Sequence, residues 1–210
     1  MIPRRLMFAG ALIALAACAP APAGDGNGTG SSAEDPAPSD QLAVACSPSS
    51  NMPAAGRPSP YDSTAVTLGG TRAVVCYGRP SMRGRTIFGG LVQYDELWRT
   101  GANEPTIIHL PFAASIAGID VEPGSYSLYS VPGREQWEII VNRSTSQWGI
   151  ESQYTDEIQA QEVGRATVPS EQIGSPVEVF EIRAEPRGDN AVDLVLEWET
   201  TRVRVPVERQ

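Results

Sequence analysis

Val192-Asp193-Leu194-Val195-Leu196-Glu197-Trp198-Glu199, continued after Thr200-Thr201 by Arg202-Val203-Arg204-Val205-Pro206-Val207, is the stretch that decides the fold. Successive side chains of a strand point to opposite faces. Val192, Leu194, Leu196 and Trp198 therefore share one face, and Asp193, Val195, Glu197 and Glu199 the other. Val203, Val205 and Val207 alternate with Arg202 and Arg204 in the same way. Two strands joined by a short turn near residue 200 are predicted, with an apolar inner face and a charged outer one. Arg–Glu pairs across that outer face would each add little.

Working outward, the same period recurs. Val177 to Arg183 is a strand that reaches the hairpin through Gly188-Asp189-Asn190. Ala65 to Leu68 and Arg72 to Tyr77 flank a Gly69-Gly70 turn and form an opening hairpin. Thr106 to Leu110, Ser115 to Val121, Ser125 to Val131 and Gln136 to Asn142 follow, separated by Pro111, Pro123-Gly124 and Pro132-Gly133. Short alternating segments with Gly/Pro punctuation mark an antiparallel sheet protein. No segment sustains a helical period, and Tyr94 to Arg99 is predicted to form a single helical turn. The fold class is all-β: an antiparallel β-sandwich, jelly-roll-like, with short helical turns, preceded by a disordered linker.

The N-terminal part is organised differently. Arg4 and Arg5 precede an apolar run of nine residues, Leu6 to Ala14, and Leu15-Ala16-Ala17-Cys18 follows. That is an export signal closed by small residues. The run is shorter than the ~20 residues a spanning helix needs. Leu-Ala-Ala-Cys resembles the bacterial lipobox, which implies cleavage before Cys18, a thioether-linked diglyceride on its thiol and further acylation by chains such as palmitate. An ordinary secretory cut around Ala21 to Ala23 is the alternative. Residues 18–56 read as a lipidated Cys and flexible linker, because their Gly, Ser, Ala, Asp and Pro content buries no core. Asp25, Asn27, Thr29 and Gly30 imitate the opening of a calcium loop, but its twelfth position is Pro36. The organisation is thus signal peptide 1–17, linker 18–56 and β-sandwich domain 57–210.

Composition narrows the partners. All 16 basic residues are Arg, and loss of Arg4 and Arg5 leaves 14 against 25 acids, a net charge near −11. An acidic chain disfavours nucleic acid and offers no basic patch to anionic lipid, so membrane attachment falls to the lipid anchor. After Cys18, Cys46 and Cys76 form an even pair, which in an oxidising compartment points to a disulfide. Two free thiols are the alternative.

The densest chemistry lies between Tyr77 and Glu104. Arg79, Arg83, Arg85, Trp98, Arg99, Asn103 and Glu104 gather in a Gly-rich connection between strands. Long irregular loops in compact domains are often functional. Two readings stand side by side. In one, the cluster binds a ligand: Arg forks grip a carboxylate or phosphate, and Trp98 offers a stacking face to a sugar or ring. In the other, it is an internal network in which Arg99 pairs Glu104 and Asn103 caps a turn.

Tyr77-x-Arg79-Pro80, Arg83-Gly84-Arg85-x-Ile87-Phe88-Gly89-Gly90-Leu91, Trp98 to Glu104, Pro123 to Leu128, Trp137, Asn142, Gln147-Trp148-Gly149, Gly164-Arg165 and Leu196-Glu197-Trp198 together carry a resemblance. Over about residues 58 to 207 the chain resembles the bacterial family catalogued as domain of unknown function 2911. It departs at Gln93, where the family tends to have Pro, and at Cys76, usually a polar residue. The resemblance implies an exported β-rich domain and carries no catalytic assignment.

Enzyme readings rest on chemistry alone. His109, the only histidine, sits between Ile108 and Leu110 and reads as structural; a zinc site needs three protein ligands. No Gly-x-Ser-x-Gly elbow is present. Asp95, Glu96, Glu104, Asp120 and Glu122 are candidates for a glycosidase pair, with nothing to single out two of them. No cofactor or metal is implied. The expectation is an envelope lipoprotein facing the periplasm or exterior, at the outer membrane in a Gram-negative cell because Ala19 follows Cys18. Its domain binds a small anionic or saccharide ligand; the alternative is a structural or interaction lipoprotein that contacts an envelope protein. An enzyme ranks third.

Overall fold

The computed structural model describes residues 46–48 and 55–210. The signal peptide, Cys18 and the calcium-like Gly-rich stretch lie outside the described residues. Nine strands follow in chain order: β1 (Tyr61–Leu68), β2 (Thr71–Gly78), β3 (Thr106–Leu110), β4 (Ala114–Ile116), β5 (Ile119–Val121), β6 (Gly124–Pro132), β7 (Gln136–Asn142), β8 (Glu162–Gly188) and β9 (Ala191–Arg209). They form one open sheet in the order β1-β2-β3-β6-β7-β8-β9-β4-β5. Each neighbouring pair runs antiparallel. The fold is all-β and antiparallel.

The first hairpin forms because Gly69 and Gly70 both adopt left-handed backbone, φ +55° and +74°, as a two-residue hairpin turn with matched twist requires. β8 joins the two halves of the sheet. Its first part pairs with β7 through Pro169, and from Ser170 onward it pairs with β9. Side chains from both halves enter one core: Val66, Leu68 and Val75 from the first strands, Ile139 and Val141 from β7, Leu194, Val203 and Val205 from β9. At its centre Trp98 stacks on Trp198 at 6.0 Å, with Trp137, Phe88 and Phe180 edge-on or tilted around them. Such ring pairs add about 0.5–1.5 kcal/mol each beyond area burial.

Three sequence expectations are corrected. No turn separates Glu199 from Arg202: β9 runs without a break past them, and its hairpin partner is β8, joined through Asp189-Asn190. Trp198 and Val203 both point inward although five positions apart, which strict alternation forbids. A bulge reconciles them. Glu199 takes φ +54°, and the register slips between Gln172 and Val177 on the facing strand. In sequence, a turn and a bulge both shift the frame of the alternation. The strand predicted over 115–121 is two strands, β4 and β5, folded at Ala117 (φ +50°) and Gly118 (φ +86°). Tyr94 to Arg99 forms no helix: Asp95 takes φ +61°, and the helical turns lie at Glu151–Gln153 and Asp156–Gln159.

Candidate functional site

The Arg/Trp/Asn/Glu cluster divides into two groups that face different tasks. The first wraps the segment entering β1. Arg57 places both guanidinium nitrogens on the Glu104 carboxylate, at 2.7 and 3.1 Å, with the side chains 3% and 0% exposed. Arg83 Nη2 donates to Pro58 O at 2.9 Å, Asn103 Nδ2 to Ser59 O at 3.2 Å, and Arg79 N to Pro60 O at 2.8 Å. Four consecutive residues, 57 to 60, are thus each held by one member of the cluster. Nearby, burial and then the Glu104 charge push the Tyr61 hydroxyl up to about 12, against a smaller downward pull from Arg57.

This arrangement corrects the pairing read from the sequence. Glu104 belongs to Arg57, and Arg99 pairs with Glu151, Nε to Oε1 at 3.1 Å and Nη2 to Oε2 at 3.0 Å. Asn103 caps no turn; it reaches back to Ser59. Its backbone takes φ +68°, and its carbonyl accepts from Gly149 N at 3.0 Å. Gly149 has to be glycine there, since a Cβ would sit 2.5 Å from Asn103 O and 2.9 Å from Arg99 Cδ. Upstream of the clasp, Cys46 is joined to Cys76 of β2 by a disulfide with Cα atoms 5.6 Å apart. Residue 46, within the stretch read as linker, is therefore fastened to the sheet. Only the Arg79 side chain lies apart from the clasp, its guanidinium on Asp62 at 2.8 Å and Phe180 O at 3.3 Å.

The second group lines a cleft of about 520 Å³ next to the clasp, in the ~300–1,000 Å³ range of small-molecule sites. Arg85, Trp98, Arg99 and Asn103 contribute from the predicted cluster, and Glu96, Gln93, Glu151, Tyr154 and Leu91 from outside it. Trp98 is 5% exposed and belongs to the core, with its Nε1 on Gly101 O at 3.2 Å. The loop carrying it is sewn to β6: Trp98 and Ser130 exchange backbone bonds at 2.7 and 2.9 Å, and Thr100 Oγ1 meets Ser130 Oγ at 2.9 Å. Behind the lining residue Leu91 in sequence, Ile87 N and Phe88 N both donate to the Glu199 carboxylate at 3.2 Å, which fixes the Gly-rich turn. Tyr154 donates to Glu162 at 2.7 Å, and burial together with that bond raises its pKa.

Two further features lie in or next to the segments that line the cleft. Arg83, Asp95, Thr100 and Asn103 hold positive φ, four of the six non-glycine residues that do so among the described residues; Asn103 lines the cleft, and Asp95 and Thr100 adjoin the lining residues Glu96, Arg99 and Gly101 in sequence. Backbone held in sparsely populated regions clusters at ligand sites. Leu91, 49% exposed, lines the cleft, and Ile150, 40% exposed, precedes Glu151 on its wall. These are the exposed large apolar side chains of the described residues.

Arg57, Glu151, Tyr154 and Glu199 escaped the sequence reading. Gln147-Trp148-Gly149, quoted there only for resemblance, was the one signal pointing toward Glu151. His109 pairs with the facing Ser125 Oγ at 2.7 Å on adjacent strands, and burial lowers its pKa. Among the described residues no group of three His, Cys, Asp or Glu is placed to hold a metal ion. The family described as "Protein of unknown function (DUF2911)" matches residues 59–207, and the chain belongs to it. No curated protein and no solved structure matches the chain.

Proposed function

We propose that this member of the family is an envelope lipoprotein, tethered through Cys18, whose domain binds a small polar ligand in the cleft beside Trp98. The observation that carries the reading is the cleft itself. It combines a fixed aromatic floor, a ring of charged and amide side chains, and an exposed Leu91 at its edge. A rigid shell of that kind is what a binding site needs to avoid ordering costs on association. Among the described residues no helix is long and apolar enough to cross a membrane. Attachment in this reading comes from the acylated Cys18.

The test has two parts. Thermal denaturation of the detergent-solubilised full chain against a panel of neutral sugars, sugar phosphates and small carboxylates should yield at least one compound that raises the midpoint. A Leu91→Arg change, which pushes a long cation into the cleft, should abolish that shift while the protein stays folded. A folded protein that no compound stabilises would remove the binding reading. Cys18→Ser should release the chain from the membrane fraction and eliminate the acyl mass. Unchanged partition in that variant would remove the anchor.

A further inference from the structure

Resting on the cleft as the binding site, we infer that its ligand is an uncharged polyhydroxylated compound, a saccharide rather than an anion. The charged side chains lining the cleft are two cations, Arg85 and Arg99, and two anions, Glu96 and Glu151, so no net positive charge draws an anion in. On both guanidinia the side-on fork, Nε with Nη2, is already engaged. Arg99 has committed Nε and Nη2 to Glu151. Arg85 has committed Nε to Met82 O at 2.9 Å and Nη2 to Ser81 O at 2.8 Å. A phosphate or carboxylate on the side-on fork of Arg99 would have to displace Glu151 and then lie against it, and like charges in one site repel.

The groups left open ask for donors. Glu96 is exposed and has no hydrogen-bond partner among the described residues. Gln93, which lines the cleft, gives its amide nitrogen to Gly90 O and keeps its Oε1 as an acceptor. Ionised carboxylates and phosphates accept and do not donate, whereas each hydroxyl does both. A polyol can donate to Glu96 and Gln93 while accepting from Arg85 and the Asn103 amide. Leu91 supplies apolar surface for the C–H face of a ring, since neutral sugars carry both kinds of surface. The chain's net charge of −9 opposes anions further.

Isothermal titration of the full chain with one ring in three charge states decides the class: glucose, glucosamine and glucose 6-phosphate, with cellobiose as a longer neutral probe. The neutral members should bind at least tenfold tighter than either charged one, about 1.4 kcal/mol. Glu96→Gln should weaken the neutral sugars about tenfold and leave the melting temperature unchanged. Tighter binding of glucose 6-phosphate or glucosamine would overturn the saccharide class while the cleft stands. Neutral sugars that bind with an affinity Glu96→Gln leaves untouched would overturn the assignment to this cleft. If no probe binds here and none shifts the denaturation midpoint, the binding reading fails and this inference with it.

Discussion

The clasp around residues 57–60 and the cleft beside Trp98 draw on the same 79–104 connection, yet they use charge in opposite ways. In the clasp, Arg57 and Glu104 are 3% and 0% exposed, and the remaining contacts run from the Arg83 and Asn103 side chains and the Arg79 main-chain N–H to main-chain oxygens. In the cleft, the matching pair, Arg99 and Glu151, is 20% and 38% exposed. Both are bidentate Arg–carboxylate pairs, so geometry does not separate them. Water does. Exposed pairs contribute about 0–1 kcal/mol, whereas removing one partner of a buried pair costs about 3–5 kcal/mol because a desolvated charge is left behind. One connection thus carries a buried lock for the entering chain and a wet, charge-balanced surface able to exchange water for a ligand.

The largest expected effect follows from the lock. Arg57→Met should lower unfolding free energy by about 3–5 kcal/mol, a large share of the ~5–15 kcal/mol typical of a domain. Adding Glu104→Leu should recover much of it, since two apolar groups leave no stranded charge. Denaturant titration of the three proteins checks this. A single mutant within 1 kcal/mol of wild type would erase the distinction between clasp and cleft.

Next comes the disulfide, which closes a loop with a sequence separation of 30 residues. Reduction, or Cys46→Ser, should destabilise by about 3–4 kcal/mol if the effect is chain entropy. Ligand affinity should stay within twofold, because Asn103 and Ser59 at the cleft edge are held by the clasp and not by Cys46. Melting with and without reductant, paired with a titration of each form, separates the two readouts. A large affinity loss on reduction would mean that the two regions are one unit.

Arg99→Ala sharpens the comparison from the other side. It leaves Glu104 with Arg57 and frees a Glu151 that is already partly solvated, so the stability loss should be about 0.5–1 kcal/mol. A loss above 3 kcal/mol would show that the cleft pair is structural.

What the sequence made legible divides along similar lines. Period-two alternation located most of the strands, because burial of one face leaves a mark at every second residue, but it missed the part of β8 before Val177 that pairs with β7 and β9. The bulge at Glu199 and the Ala117-Gly118 turn were not separable from a turn and a continuous strand, since both depend on backbone angles that alternation does not record. Arg83, Asn103 and Glu104 stood out by composition, but their partners did not. Arg57 lies 47 positions from Glu104, at the first residue after the stretch read as linker, followed by Pro58-Ser59-Pro60. Arg99 stood five residues from Glu104, and proximity in sequence stood in for proximity in space. Pairing across a folded sheet is set by topology, and topology enters only with the register of β2, β3 and β8.

The smallest stability effect is expected at Leu91, and it tests whether the cleft is separable from the core. Leu91 is 49% exposed, while its neighbours Phe88 and Val92 are 6% and 7% exposed and packed in the core. Its backbone N–H donates to Thr86 O at 3.1 Å, so the turn around it is held without its side chain. Leu91→Ser should therefore change unfolding free energy by no more than about 0.5 kcal/mol, as surface substitutions away from packed features do. Affinity for a neutral sugar should fall several-fold, because the apolar surface beneath the ring is gone while Glu96, Gln93 and Arg85 remain. A stability loss above 1 kcal/mol would mean that Leu91 holds the Gly-rich turn and that the mouth of the cleft is part of the core's own packing. Unchanged stability with unchanged affinity would leave the cleft separable but move the ligand's apolar face away from Leu91.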